Sequence, residues 1–118
     1  MPPRIGNLAL WVADLERAER FYVDGLGLEV TAPVETPELL EVIVGGHGGS
    51  ELMLAAMKDG SQVVGADGFW KVFVDVDDAD AAFRRALSAG AAPEAEPQHL
   101  EQFGISIALV RDPDGHLV

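Results

Sequence analysis

Three side chains in this sequence, Lys71, Glu51 and Trp11, are of types that could bind or transform a small molecule. The Lys71 ammonium could pair with an anionic ligand group or with the Glu51 carboxylate, and if desolvated it could act as a general base. The Trp11 indole could stack on a planar ligand. No neighbouring residues mark Lys71 as activated. A structural ion pair for Lys71 therefore remains an open alternative, as do ordinary core positions for Trp11, Met53 and Phe73.

The elements that must position these residues occur twice in the chain, each time as a predicted strand followed by a predicted helix. Residues 4–13 alternate in hydrophobicity, which predicts a strand, and Asp14 then caps a predicted helix. Residues 71–76 alternate in the same way, and Asp77 or Asp78 caps a second predicted helix. The alternation places Asn7, Ala9 and Trp11 on one face of the first strand, and Lys71, Phe73 and Asp75 on one face of the second.

This repeat predicts two pseudo-symmetric modules, at 1–58 and 68–118, joined by a linker at 59–67. Turn residues separate three further apolar segments of the first module, which are predicted strands at 28–31, 39–44 and 51–57. The second module has a predicted buried strand at 105–110, a turn at 112–115 and the start of another strand at 116–118. The first module thus contains a strand, a helix and three more strands.

Composition limits the partners that this protein can have. The chain has 118 residues, no cysteine, and a formal net charge of −12 with only 8 Lys and Arg. Such a charge argues against nucleic acid and anionic membranes, because both require a cationic protein surface. The apolar runs are too short to span a bilayer. We therefore expect one cytoplasmic domain that binds neither nucleic acid nor membranes.

Three groups of residues resemble the vicinal oxygen chelate superfamily, also called the glyoxalase, bleomycin-resistance protein and extradiol dioxygenase fold. The matching segments are Val12-Ala13-Asp14-Leu15 with Phe21-Tyr22 and Gly25-Leu26-Gly27-Leu28, then Val76-Asp77-Asp78 with Ala81-Ala82 and Ala89-Gly90, then Asp112-Pro113-Asp114-Gly115-His116-Leu117. The resemblance covers nearly the whole chain. It implies an α+β fold in which two βαβββ modules form a curled mixed sheet around a central cavity, usually in a homodimer.

Metal-dependent members of this superfamily bind a divalent ion through four positions. The resemblance places the first position on Asn7 and the third on Lys71. The second falls on Met53, or on Glu51 if the strand slips by two residues, and the fourth lies one residue beyond Val118. An amide, a thioether and an ammonium are poor ligands for such an ion. We therefore expect no metal or other cofactor, with a divalent metal as the alternative.

The three histidines are not expected to replace the missing ligands. His47 falls in a glycine-rich turn, His99 in a polar loop and His116 just after a turn, so each is predicted to be an exposed loop residue. His99 is the best candidate for ligand contact, because loops before the seventh strand often border the cavity in similar proteins. Trp70 and Phe103 are expected near the rim of the same cavity.

The sequence thus predicts a protein that binds an aromatic or amphipathic small molecule between its modules, and the acidic surface would favour a cationic ligand. The alternative is a metal-dependent lyase, isomerase or dioxygenase of the same superfamily. An interaction or regulatory domain with a vestigial cavity is a third possibility. Lys71 is the best candidate for a catalytic group. The predicted ligand-binding residues are Asn7, Ala9, Trp11, Glu51, Met53, Lys71, Phe73, His99 and Phe103.

Overall fold

The computed structural model describes residues 7–46, 48–61 and 71–118, without the side chain of Asn7. His47 and Trp70 lie outside these residues. The elements are β1 (Asn7–Trp11), α1 (Leu15–Glu19), a π-helical segment (Arg20–Gly25), β2 (Glu29–Glu35), β3 (Leu39–Gly45), β4 (Glu51–Met57), α2 (Ala79–Ser88), β5 (Ala92–Leu100) and β6 (Ile105–Arg111). The predicted α+β class is confirmed, with one four-stranded and one two-stranded sheet that do not close on each other.

The first module forms a mixed sheet with the strand order β1-β4-β3-β2, in which β1 and β4 are parallel and the other pairs are antiparallel. One face of this sheet packs on α1 and the π-helical segment, as the alternation in β1 predicts for Leu10 and Val12. Leu8 lies on the same face by alternation but is about half exposed. The first module contributes Leu10, Val12, Ala18, Phe21, Tyr22, Val42, Val44, Leu52, Leu54 and Ala56 to a core that also includes Val72, Ala86 and Val110 of the second module.

Both helices begin at the predicted aspartates. The Asp14 carboxylate accepts a hydrogen bond from the Arg17 N–H, and Asp78 accepts one from the Ala81 N–H, so each satisfies a free donor of a first turn. The π-helical segment then approaches α2 so closely that a Cβ added at Gly25 would lie 2.8 Å from the Ala89 Cβ. Glycine is required there because any side chain would separate the two helices. No helix in the described ranges is long and apolar enough to cross a membrane.

The second module differs from its predicted strand pattern. Residues 71–76 form no regular strand; the Val72 N–H donates to the Leu117 carbonyl, at 2.9 Å. Residues 92–100, which include the predicted loop residue His99, instead form β5, paired antiparallel with β6. The register of this pair shifts twice, between Pro93 and Ala95 and between Ala95 and Gln98. These bulges allow a proline-containing, polar segment to pair as an edge strand, which explains why it lacks a strand signature.

A buried polar cluster around Asp112 joins the two modules. The Tyr22 hydroxyl donates to Asp112 Oδ2 at 2.8 Å, and His116 Nδ1 lies 2.9 Å from the same oxygen. The backbone N–H of His116 donates to Asp112 Oδ1 at 2.7 Å. The prediction that His116 is an exposed loop residue is therefore wrong: it is 8% exposed, because the 112–115 turn folds its ring back onto the Asp112 carboxylate.

Asp114 extends this cluster towards the first helix. Its Oδ1 accepts hydrogen bonds from the Ala13 N–H at 2.8 Å and from the Arg17 guanidinium at 3.1 Å. The Asp112-Pro113-Asp114-Gly115 turn thus holds the end of β1 and the start of α1, which belong to the other module. The predicted turn has a structural role that its sequence alone does not indicate.

The ionisation of this cluster is coupled to folding. Burial opposes the charge on Asp112, but hydrogen bonds from His116 and Tyr22 outweigh burial and lower the pKa of the carboxyl. The hydrogen bond to Asp112 raises the pKa of His116 despite burial. Burial, together with the neighbouring Asp112 carboxylate, raises the pKa of Tyr22, which stays protonated as a donor.

We predict that wild-type stability falls as pH rises above His116's ordinary pKa of 6.5. A raised folded-state pKa contributes stability below the unfolded value, and this contribution is lost as pH rises through the folded value. Asp112→Asn should lower the free energy of unfolding by about 1–3 kcal/mol and flatten its decrease between about pH 6 and about pH 8, measured by urea denaturation. Asp77→Asn, which changes an exposed carboxylate, should keep the wild-type slope. An unchanged slope in Asp112→Asn would contradict the assignment.

Candidate functional site

A cavity of about 620 Å³ lies mainly in the second module, between residues 71–80, α2 and β6, and Leu26 of the first module and Val118 also line it. Ala82, Phe83 and Ala86 of α2 form its apolar floor, and the whole of Ile105–Val110 forms one wall. The size is within the range of about 300–1,000 Å³ that is usual for ligand sites. The cavity brings together two of the predicted residues, Lys71 and Phe73.

Lys71 and Phe73 contact each other at the cavity. The Lys71 Nζ lies 4.7 Å from the centroid of the Phe73 ring, a distance at which an ammonium is attracted to the face of an aromatic ring. The Phe73 side chain is 76% exposed. The alternative that Phe73 is ordinary core is therefore wrong, since its ring is available to a ligand on its remaining surface.

The charges around the cavity are mostly negative. One ammonium, from Lys71, and four carboxylates line it. Asp78 uses its carboxylate to cap α2, whereas Asp75, Asp77 and Asp80 are exposed. A cavity with apolar walls and an excess of carboxylates favours a ligand with an apolar body and a cationic group. The sequence does not indicate the carboxylates as site residues except for Asp75, which alternates with Phe73.

The predicted residues of the first module lie elsewhere. Ala9 and Trp11 of β1 face away from the core, and Trp11 is 41% exposed. Met53 pairs with Ala9 across the parallel ladder, and Glu51 pairs with Asn7. The Glu51 carboxylate accepts a hydrogen bond from the Thr31 hydroxyl. These residues share the uncovered face of the four-stranded sheet, and those whose side chains are described do not line the second-module cavity.

His99 and Phe103 also lie outside the cavity lining. His99 is in β5 instead of the expected loop, with its Nδ1 3.1 Å from the Ser106 hydroxyl. Phe103 is 68% exposed in the turn between β5 and β6. Ser106 does line the cavity, so His99 contacts a lining residue without reaching the cavity itself. The sequence analysis did not predict the β6 residues of the wall, such as Ser106 and Ile107, as site residues. It predicts 105–110 only as a buried strand.

The residues at the superfamily's metal positions do not suit a divalent ion. The ladder places a carboxylate, Glu51, beside Asn7, but this carboxylate is already hydrogen-bonded to Thr31. Met53 offers a thioether and Lys71 an ammonium, which repels a cation. Across the described ranges, no three His, Cys, Asp or Glu residues are grouped so that they could hold a metal ion. The lack of a metal cofactor stays a prediction.

Comparison with known families identifies the class of protein. The sequence pattern of the Glyoxalase/Bleomycin resistance protein/Dioxygenase superfamily matches residues 4–118. The chain belongs to this superfamily, and the predicted resemblance is confirmed. No curated protein matches the chain.

Solved structures agree on the fold. The V278E mutant of glyoxalase I from Zea mays superposes with a TM-score of 0.86 at 23% identity, covering 96% of this chain and 43% of that chain. Glyoxalase I from Leishmania major superposes with a TM-score of 0.81 at 21% identity, covering 98% of this chain and 84% of that chain. A glyoxalase-related enzyme from Fulvimarina pelagi superposes with a TM-score of 0.69 at 22% identity, covering 97% of this chain and 84% of that chain. The chain therefore spans less than half of the maize enzyme, and these identities establish the shared fold alone.

We predict that Phe73 contributes little to folding although it is a large apolar residue. Phe73→Ala should change the free energy of unfolding by less than about 0.5 kcal/mol, because the ring is mostly in solvent. Phe83→Ala should cost about 2–4 kcal/mol, because Phe83, on the floor of the cavity, packs against the core. Chemical denaturation of both variants provides the comparison. Equal losses would place Phe73 in the core.

Proposed function

We propose that this protein binds a small molecule with an apolar or aromatic body and a cationic group in the second-module cavity, without a metal ion. The observation that supports this most directly is the composition of the cavity wall, where an exposed aromatic ring and aliphatic residues meet several exposed carboxylates. Superfamily membership is consistent with small-molecule binding on this scaffold, but the choice of ligand depends on these side chains.

Different residues would contact different parts of the ligand. The Phe73 ring would pack on the apolar body, with Ile105 and Ile107 on the opposite side. Asp75, Asp77 and Asp80 would attract the cationic group. Lys71, at the other end of the segment that carries these carboxylates, would hold an anionic group in a ligand that has one. The ligand would thus be oriented by charges of opposite sign along one side of the cavity.

The uncovered face of the first sheet has a separate role in this proposal. Ala9, Trp11 and Met53 present an apolar surface that a second copy of the chain could cover, as expected for the homodimer that the superfamily resemblance implies. We also propose a cytoplasmic location, in keeping with the absence of cysteine. A monomer at micromolar concentration in light scattering would contradict the dimer.

Binding should depend on Phe73 and on the carboxylates near it. We expect Phe73→Ala to weaken binding of the best ligand from a panel of aromatic amines by about tenfold or more, since a stacked ring contributes about 0.5–1.5 kcal/mol beyond its buried area. Asp75→Asn should weaken binding by a smaller factor than Phe73→Ala does. The effect of Asp75→Asn should be larger at low salt, where the attraction between charges is less screened. Isothermal titration calorimetry measures both.

Phe103→Ala is the matched control for this experiment, because Phe103 is equally aromatic and nearly as exposed but does not line the cavity. It should leave affinity unchanged. Equal effects of Phe73→Ala and Phe103→Ala would contradict binding in this cavity, as would a panel from which no compound binds.

A metal-dependent enzyme is the second candidate function. The observation that supports it is the pairing of Asn7 with Glu51, because an acidic residue then lies beside the first metal position that the resemblance implies. We expect elemental mass spectrometry to find no stoichiometric transition ion in protein purified without chelators, even after incubation with nickel, zinc, manganese or iron. About one ion per chain, lost in Glu51→Gln, would favour the enzyme instead.

A further inference from the structure

A second cleft lies between α2 and the π-helical segment. It faces away from the cavity, because α2 contributes residues of opposite faces to the two sites. Its volume is about 530 Å³, within the range of about 300–1,000 Å³ that is usual for ligand sites. The π-helical segment contributes Arg20 and Asp24 to its lining, and α2 contributes Ala81, Arg84, Arg85 and Ser88.

Two contacts hold the helices together at this cleft. The backbones are so close that a Cβ added at Gly25 would lie 2.8 Å from the Ala89 Cβ. The Arg85 guanidinium reaches from α2 to the other helix and donates a hydrogen bond of 3.1 Å to the Asp24 carbonyl. The two walls of the cleft are therefore fixed relative to each other, as a binding site requires.

The cleft is cationic although the protein is acidic. The whole chain has 8 Lys and Arg against 20 Asp and Glu. Three of the 8, all arginines, line this cleft together with one carboxylate, that of Asp24. Positive charges that are grouped in this way repel one another, and an anion placed among them removes the repulsion. The distribution of charge thus indicates a site for an anion.

The guanidiniums of Arg20 and Arg84 differ from most other cationic groups of the chain. In the part of the chain that the structure describes, neither has a hydrogen-bond or ion-pair partner, and the Ser88 hydroxyl also lacks one. By contrast, three Lys or Arg side chains outside the cleft each pair with a carboxylate within 3.5 Å. Donors on both walls of the cleft are therefore available to a ligand.

We propose that this cleft binds the phosphate group of a small soluble molecule, at a site separate from the cavity of the proposed function. A phosphate has three oxygens that accept hydrogen bonds in different directions, so Arg20 and Arg84 can donate to it from the two walls, with Ser88 as a further donor. A carboxylate has two oxygens in one plane, which a single guanidinium satisfies. The net charge of −12 disfavours the phosphates of nucleic acids and membranes.

The experiment titrates the whole chain with inorganic phosphate at about pH 8 and constant ionic strength, followed by carbon-detected NMR of the arginine guanidiniums. The Arg20 and Arg84 signals should shift together and saturate below about 20 mM phosphate. The signals of Arg17 and Arg111, which are held in ion pairs elsewhere, should not shift. No saturable shift of Arg20 and Arg84, or an equal shift of all four signals, would overturn the proposal.

Charge substitutions inside and outside the cleft test the position of the site. Arg84→Gln should weaken phosphate binding by about tenfold or more, because it removes a charge-assisted hydrogen bond. Lys58→Gln is the matched control, since it makes the same change in net charge at an exposed residue outside the cleft and should leave affinity unchanged. Asp24→Asn should strengthen binding, because it removes the carboxylate and keeps the carbonyl that Arg85 contacts. Equal losses in Arg84→Gln and Lys58→Gln would show a response to net charge alone and would contradict the site.

A second anion tests the preference for phosphate. Malonate also carries a charge of about −2 at about pH 8, but on two planar carboxylates. It should bind at least about fivefold more weakly than phosphate, and equal affinities would refute the assignment to phosphate groups. The cavity is tested separately: if aromatic amines bind through Phe73 and phosphate does not bind, the proposed function stands and this inference alone fails.

Discussion

The arrangement of the two modules depends on one buried carboxylate. Asp112 accepts hydrogen bonds from Tyr22 of the first module and from His116 of its own turn, and it has almost no contact with solvent. A buried carboxylate is stable only when such donors replace water. The donors can reach it only if the π-helical segment and the 112–115 turn lie against each other, so satisfying this charge requires the modules to pack in one orientation.

The positions of the cavity and of the uncovered sheet face follow from this packing. The helices come together at Gly25 and Ala89 and cover one face of the four-stranded sheet, which leaves the face with Trp11 and Met53 open. In the second module α2 packs against β6, and the cavity lies between α2, β6 and residues 71–80. A close helix contact in the core therefore decides which surfaces remain available to ligands or partners.

Local patterns predicted the elements of the fold better than the site. Alternation and capping identified β1, both helices and most strands, because hydrophobic period and first-turn donors act over a few residues. They failed for β5, whose prolines are accommodated by bulges against β6, and for His116, whose burial depends on a carboxylate four residues earlier and a tyrosine from the other module. Of the nine predicted ligand residues, the cavity unites Lys71 and Phe73, since alternation gives the face of a strand and not the distance between strands.

The sequence by itself determined the superfamily, the α+β class, the repeat of two modules and the acidic surface, because motif order, hydrophobic period and charge are properties of residues near one another in the chain. Only the tertiary structure decided which charges are buried and which of the predicted ligand residues lie together. Asp112 and Asp75 are both aspartates, yet one is buried by donors 90 residues away and at its own turn, and the other remains at the cavity. Burial depends on contacts between distant segments, which no local pattern specifies.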